Sequence, residues 1–131
     1  MAYILDADWV INALAGKQRA DTLLQKLAPT GITISWITVG EIYDTAFAYA
    51  NPDAHLSSFR QFLSPYQVVG VNDPIMERFA EIRSFLRRRG QLISDFDILL
   101  GATALQYDLT VLTFNRKHFS RIPDLALYQP D

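Results

Sequence analysis

Tyr3-Ile4-Leu5-Asp6 is an apolar run that ends on a carboxylate. Residues 2–6 read as a buried strand, and residues 8–15 behind them read as a helix. The same arrival recurs along the chain. Ile32-Thr33-Ile34-Ser35-Trp36-Ile37-Thr38-Val39-Gly40 leads to Glu41, and Leu92-Ile93-Ser94-Asp95-Phe96 leads to Asp97. Thr110-Val111-Leu112-Thr113-Phe114 delivers Asn115. Strands that alternate with helices imply a parallel sheet with helices on both faces. In such sheets ligands bind at the carboxyl ends of the strands, where the strand order reverses.

The intervening segments fit that scheme. Residues 18–28 read as a helix, separated from the first by Gly16 and ended by Pro29. Residues 32–35 read as a strand. A helix is expected over 38–50, with Thr38 as its N-cap and Glu41 at the capping-box position. Pro52 starts another helix, to about Leu63, and Pro65 precedes a strand from Tyr66 to Val71. Asn72 or Asp73 caps a helix in which Ile75, Phe79, Ile82 and Leu86 keep helical spacing, and Gly90 stops it. Asp95 is expected to cap a helix from Phe96 to Gln106. Thr110–Thr113 and Leu125–Tyr128 read as the last strands.

With 131 residues, the chain fits one domain spanning 1–131. Half of its residues are hydrophobic, enough for a substantial core. It has no cysteine, which excludes disulfides and thiolate metal sites and fits a reducing, cytoplasmic setting. No basic leader precedes the first apolar run, so no secretory signal is expected, and no segment is long enough to span a bilayer. A formal net charge of −2 argues against nucleic-acid binding by bulk electrostatics alone. A bound cation or clustered Arg and Lys would still permit a nuclease.

Asp6, Glu41, Asp97 and Asn115 all fall at strand ends or first helical turns, so all four can face one cleft. Each acid also has a structural reading, as a helix initiator, a capping-box partner or an N-cap. Together they are harder to explain that way, because buried carboxylates are costly and repel one another. A divalent cation relieves both problems. Oxygen donors without Cys or His favour Mg²⁺, with Mn²⁺ as a substitute. Such an ion keeps open positions for phosphate oxygens, and activation of its water makes phosphodiester hydrolysis the natural reaction.

At these residues the chain resembles the PIN-domain family, more narrowly the VapC-type toxins of toxin–antitoxin pairs. The resemblance rests on four blocks in order: Tyr3–Asp6, Ile37–Ile42, Leu92–Ala104 and Leu112–Phe119. It implies a three-layer α/β/α sandwich with a mainly parallel central sheet, and metal-dependent endoribonuclease activity on an RNA of the tRNA or rRNA class. It also implies a homodimer and a cognate VapB-type antitoxin. Carried over by position, Asp6, Glu41 and Asp97 are the metal-binding acids, and Asn115 completes the catalytic set where many relatives have a fourth Asp. That departure points to one well-held cation rather than two. Asp8 reads as a helix-start acid or an extra carboxylate behind the ligands, and Asp95 as a cap.

Thr113 reads either as a hydrogen-bond partner of the site or simply as a β-branched strand residue. Arg83 and Arg87-Arg88-Arg89 read as a solvated or antitoxin-facing run. Arg116 and Lys117 are better placed for RNA phosphates. His118 resembles a general base, a role the family does not assign. Trp9, Trp36, Phe47 and Tyr49 read as core or interface residues, and Gly40, Gly101, Ala102 and Ala104 as small residues for close packing. Ile42, Phe47, Leu56, Phe59 and Phe62 are expected to line a groove for an antitoxin helix. A non-catalytic binding module on the same fold is the alternative, motivated by Asn115. A Mg²⁺ enzyme acting on small phosphate esters ranks behind both, since no Gly-rich phosphate loop is visible.

Overall fold

The computed structural model describes residues 2–16, 18–28 and 31–129. Its elements run β1 (Tyr3–Leu5), α1 (Ala7–Leu14), α2 (Gln18–Leu27), β2 (Ile32–Ser35), α3 (Trp36–Ala46) and α4 (Pro52–Leu63). They continue with β3 (Gln67–Val69), α5 (Asp73–Arg88), α6 (Asp95–Tyr107), β4 (Thr110–Leu112) and α7 (Arg116–Phe119). The four strands form one sheet in the order β3-β2-β1-β4, every pair parallel. After β1 the chain adds β2 and β3 on one side, then crosses to place β4 on the other. The strand order therefore reverses at β1, the strand that ends at Asp6.

β1 and β4 are covered on both faces, whereas the edge strand β3 is only partly buried. Ile4 and Val111 pack against α5 and α6, with Ile75, Ile82, Leu86, Ile98 and Phe119. Their neighbours Leu5 and Leu112 turn the other way, onto Trp9, Val10, Leu24, Val39, Ile42 and Phe59. Helices thus cover both faces, giving the three-layer α/β/α sandwich with a parallel central sheet. Each fully buried Ile or Leu side chain contributes about 1.5–3 kcal/mol, so the two cores together fix the sheet between its helical layers. Gly101 lets α6 approach the chain that follows α7: a Cβ there would lie 2.5 Å from Ile122 Cδ1. Among the described residues, no helix is long and apolar enough to cross a membrane.

Several local expectations shift. The third helix begins two residues before Thr38, because Ser35 Oγ accepts from Ile37 N at 3.1 Å and acts as the cap. Thr38 is buried, and its hydroxyl donates to the Leu5 carbonyl at 3.4 Å, tying α3 to β1. Glu41 therefore stands beyond the first turn and closes no capping box. The same helix stops at Ala46 rather than near residue 50. Ser94, not Asp95, caps α6, with Oγ accepting from Asp97 N at 3.2 Å. Asn72 caps α5 through Ile75 N. The segment 125–128 is reduced to one parallel bridge, Leu127 to Val111. Pro29, expected to end α2, lies outside the described residues.

Candidate active site

Asp6 leaves β1 where its backbone N–H still bonds to the Leu112 carbonyl at 2.9 Å, so the end of β4 fixes its position. Its side chain is buried, 6 % exposed. Oδ1 accepts from Ala7 N at 2.8 Å, capping α1, while Oδ2 accepts from the Thr113 hydroxyl at 2.7 Å. Asp6 is thus both a helix initiator and part of a polar cluster. Thr113 in turn accepts from Asn115 N at 2.9 Å. One hydroxyl therefore couples the end of β1 to the loop that presents Asn115.

The remaining acids reach the same place from two helices. Glu41 projects from α3, and Asp97 from the first turn of α6. Burial raises Asp6 above the ordinary carboxylate range despite the Thr113 bond, and the Asp97 charge raises it further. Burial, then Asp6, Asp97 and Asp8, push Glu41 up to about 7. Burial also raises Asp97, partly offset by Ser94 and by His118. Asp6 and Asp97 both act on Glu41, and Asp97 on Asp6, so the three acids border one cleft. A hollow of about 670 Å³ beside it is lined by residues that include Ala7, Ile11, Glu41 and Phe96.

Asp8 belongs to the same cluster. It sits in the first turn of α1, as a helix-start acid would, but its carboxylate reaches across the chain. It accepts from Phe114 N at 3.1 Å through Oδ2 and from the Thr113 hydroxyl at 3.4 Å. Burial and the neighbouring Asp6 push it up to about 7. Nothing in the local sequence announces this bond, whose partners lie 106 residues apart. Asp95 turns elsewhere, to an ion pair with Arg83 at 2.9 Å.

Asn115 stands before α7 without capping it by its side chain. Its side-chain amide nitrogen instead lies 2.8 Å from His118 Nδ1. His118 Nδ1 also lies 4.0 Å from Asp97 Oδ2. His118 thus stands between Asn115 and Asp97. Arg116 follows, with its Nε buried and unpartnered among the described residues, and Lys117 is exposed.

The donor set fits a hard divalent cation in its chemistry: carboxylates and one amide, with burial raising all three acids and neighbouring charge raising Asp6 and Glu41. Among the described residues, no group of three or more acidic or histidine side chains is gathered closely enough to hold a metal ion as it stands. An ion that retains several of its waters suits such an open arrangement.

Other expected roles divide. Trp9 is buried at 2 % exposure, whereas Trp36, Phe47 and Tyr49 are more than half exposed. Ile42 and Phe59 belong to the core and cannot line a docking groove, because α3 and α4 turn them inward onto the sheet. Phe47 is exposed, and Leu56 and Phe62 are partly buried against that core. Of the arginine run, Arg88 bonds Ser84 on the outer side of α5, and Arg89, just past its end, covers the Phe85 ring.

Comparison with known proteins agrees with this geometry. The family model described as PIN domain matches residues 3–125. The chain is 28 % identical over 131 residues to ribonuclease VapC2 of Rickettsia felis, covering 97 % of this chain and 96 % of the relative. It is 25 % identical over 127 residues to ribonuclease VapC1 of Haemophilus influenzae, covering 95 % of each. Among solved structures, VapBC2 of Rickettsia felis bound to a DNA fragment from their promoter matches with a TM-score of 0.92 and 26 % identity, covering all of both chains. The order of strands, the acids at their carboxyl ends and a match over nearly the whole length agree: the chain belongs to the PIN domain family.

Proposed function

We propose that this chain is an endoribonuclease of the VapC type, the toxin of a toxin–antitoxin pair, which hydrolyses RNA phosphodiester bonds with a divalent cation, Mg²⁺ or Mn²⁺. The observation that carries the reading is the convergence of Asp6, Glu41 and Asp97 near the carboxyl end of β1, where burial raises all three and neighbouring acids raise Asp6 and Glu41 further. These residues would hold the cation. When bound, it would neutralise their charge and act as a Lewis acid on a phosphoryl oxygen.

The chain's own groups prepare that site. Ala7 N and the Thr113 hydroxyl hold both oxygens of Asp6 in place. Thr113 also fixes the backbone of Asn115, whose side chain orients His118 beside Asp97. Arg116 and Lys117, directly after Asn115, would supply charge for RNA phosphates. A VapB-type antitoxin and a second copy of the chain, acting in the cytoplasm, complete the reading. Its support is the similarity to VapC ribonucleases and to the toxin–antitoxin complex of Rickettsia felis.

The test is RNA cleavage by purified chain freed of antitoxin, with Mg²⁺ or Mn²⁺ and with chelator. Cleavage should require the cation and vanish in Asp6→Asn and Asp97→Asn. Intact RNA with the wild type, together with undiminished toxicity of both variants in cells, would overturn the reading. The open arrangement of the acids and the amide at Asn115 favour a second reading, a PIN-fold binding module without cleavage. Calorimetry separates the two: absence of Mn²⁺ binding at millimolar concentration selects the binder.

A further inference from the structure

Phe114 lies between Thr113 and Asn115, at the mouth of the acid cleft, and is 47 % exposed. Its ring lies parallel to that of Trp9, with centroids 4.4 Å apart and planes 7° from parallel. Trp9 is itself immobilised: it is buried, and its indole N–H donates to the Ala20 carbonyl at 3.3 Å. The Phe114 backbone is held by Asp8 at 3.1 Å. The phenyl ring is thus fixed on one face and at its root, while its other face opens to solvent. Phe96, similarly exposed beside Asp97, has no ring behind it among the described residues.

Packing alone does not require this arrangement, since Trp9 already closes the core beneath. A flat, pre-oriented aromatic face one residue from the site suits an unpaired nucleobase. Bases freed from a helix stack on such rings, and the interaction tolerates any base. Arg116 and Lys117 follow within three residues and supply charge for the adjoining phosphates.

We propose that the open face of Phe114, backed by Trp9, is the platform for an unpaired base next to the scissile phosphate, which makes Phe114 a substrate-positioning residue that selects an unpaired nucleotide whatever its base. The inference rests on the nuclease reading above and adds to it where on the protein a loop nucleotide is held.

The experiment uses RNA hairpins that each carry 2-aminopurine at one loop position, bound to the cleavage-deficient Asp97→Asn chain. Stacking should quench the fluorescence at one or two positions. Adding Phe114→Leu, which keeps an apolar contact on Trp9 but removes the π face, should abolish the quench and weaken binding about ten-fold. Phe114→Trp should retain both. In the otherwise wild-type chain, Phe114→Leu should raise KM and blur the choice of cleavage site. Absence of quenching at every loop position overturns the inference. So does a Phe114→Leu chain that cuts as the wild type does but binds antitoxin weakly, which would assign the ring to the protein partner. If the wild type cuts no RNA in Mg²⁺ or Mn²⁺, the nuclease reading fails, and the quench still decides whether Phe114 stacks a base.

Discussion

Asp8→Asn should stabilise the metal-free protein at pH 8 and leave it nearly unchanged at pH 4. The Asp8 carboxylate sits against Phe114 N and the Thr113 hydroxyl, and burial and the nearby Asp6 push it from 3.8 up to about 7. In the unfolded chain it ionises near its ordinary value, and in the folded chain about three units later. Between those values the folded state retains a proton that the unfolded state has lost. Stability therefore falls as pH rises through this window, and the whole loss is present above about pH 7. At about 1.4 kcal/mol per unit the ceiling is about 4 kcal/mol. Asp6 shares the same repulsion, and solvent at the cleft mouth screens part of it, which leaves about 2 kcal/mol. The amide oxygen of an asparagine still accepts from Phe114 N, so the substitution deletes charge and little else. For a chain of this size the gain corresponds to roughly 5–10 °C in Tm at pH 8. Thermal unfolding in chelator at the two pH values measures it. A variant that loses stability at pH 8, or gains equally at both values, would refute the account of a carboxylate held against its charge.

Thr113→Val should cost about 1–3 kcal/mol in urea unfolding, because it removes the donor to Asp6 and the acceptor for Asn115 N while leaving both groups behind; Thr113→Ser should recover most of the loss. Millimolar Mn²⁺ should raise the Tm of the wild type, and more at pH 8 than at pH 6, because the raised carboxylates must release protons to bind it. Asp97→Asn should abolish that rise. Gly101→Ala should cost about 1 kcal/mol, since the Ile122 Cδ1 it would meet is the end of a movable side chain, whereas Gly101→Val should cost about 3 kcal/mol in the same assay.

The sequence by itself determined the alternation of strands and helices and the positions of Asp6, Glu41, Asp97 and Asn115 along them. Those features are local: hydrophobic runs, Gly and Pro breaks, and acids that interrupt apolar segments. A parallel sheet then brings the carboxyl ends of β1 and β4 to one side, which is why strand ends and first helical turns point to the candidate site. Cap positions were less legible, because Ser35 and Thr38, or Ser94 and Asp95, are chemically equivalent choices until the backbone selects one. Helix rotation separated neighbours of like chemistry, sending Asp97 into the cleft and Asp95 outward to Arg83. It also turned Ile42 and Phe59 inward, against the expectation of a docking groove. Tertiary structure alone decided that Asp8 would bond Phe114 and that Phe114 would stack on Trp9. Those partners are more than a hundred residues apart in the chain, and what joins them is the parallel pairing of β1 with β4, a contact that no local pattern encodes.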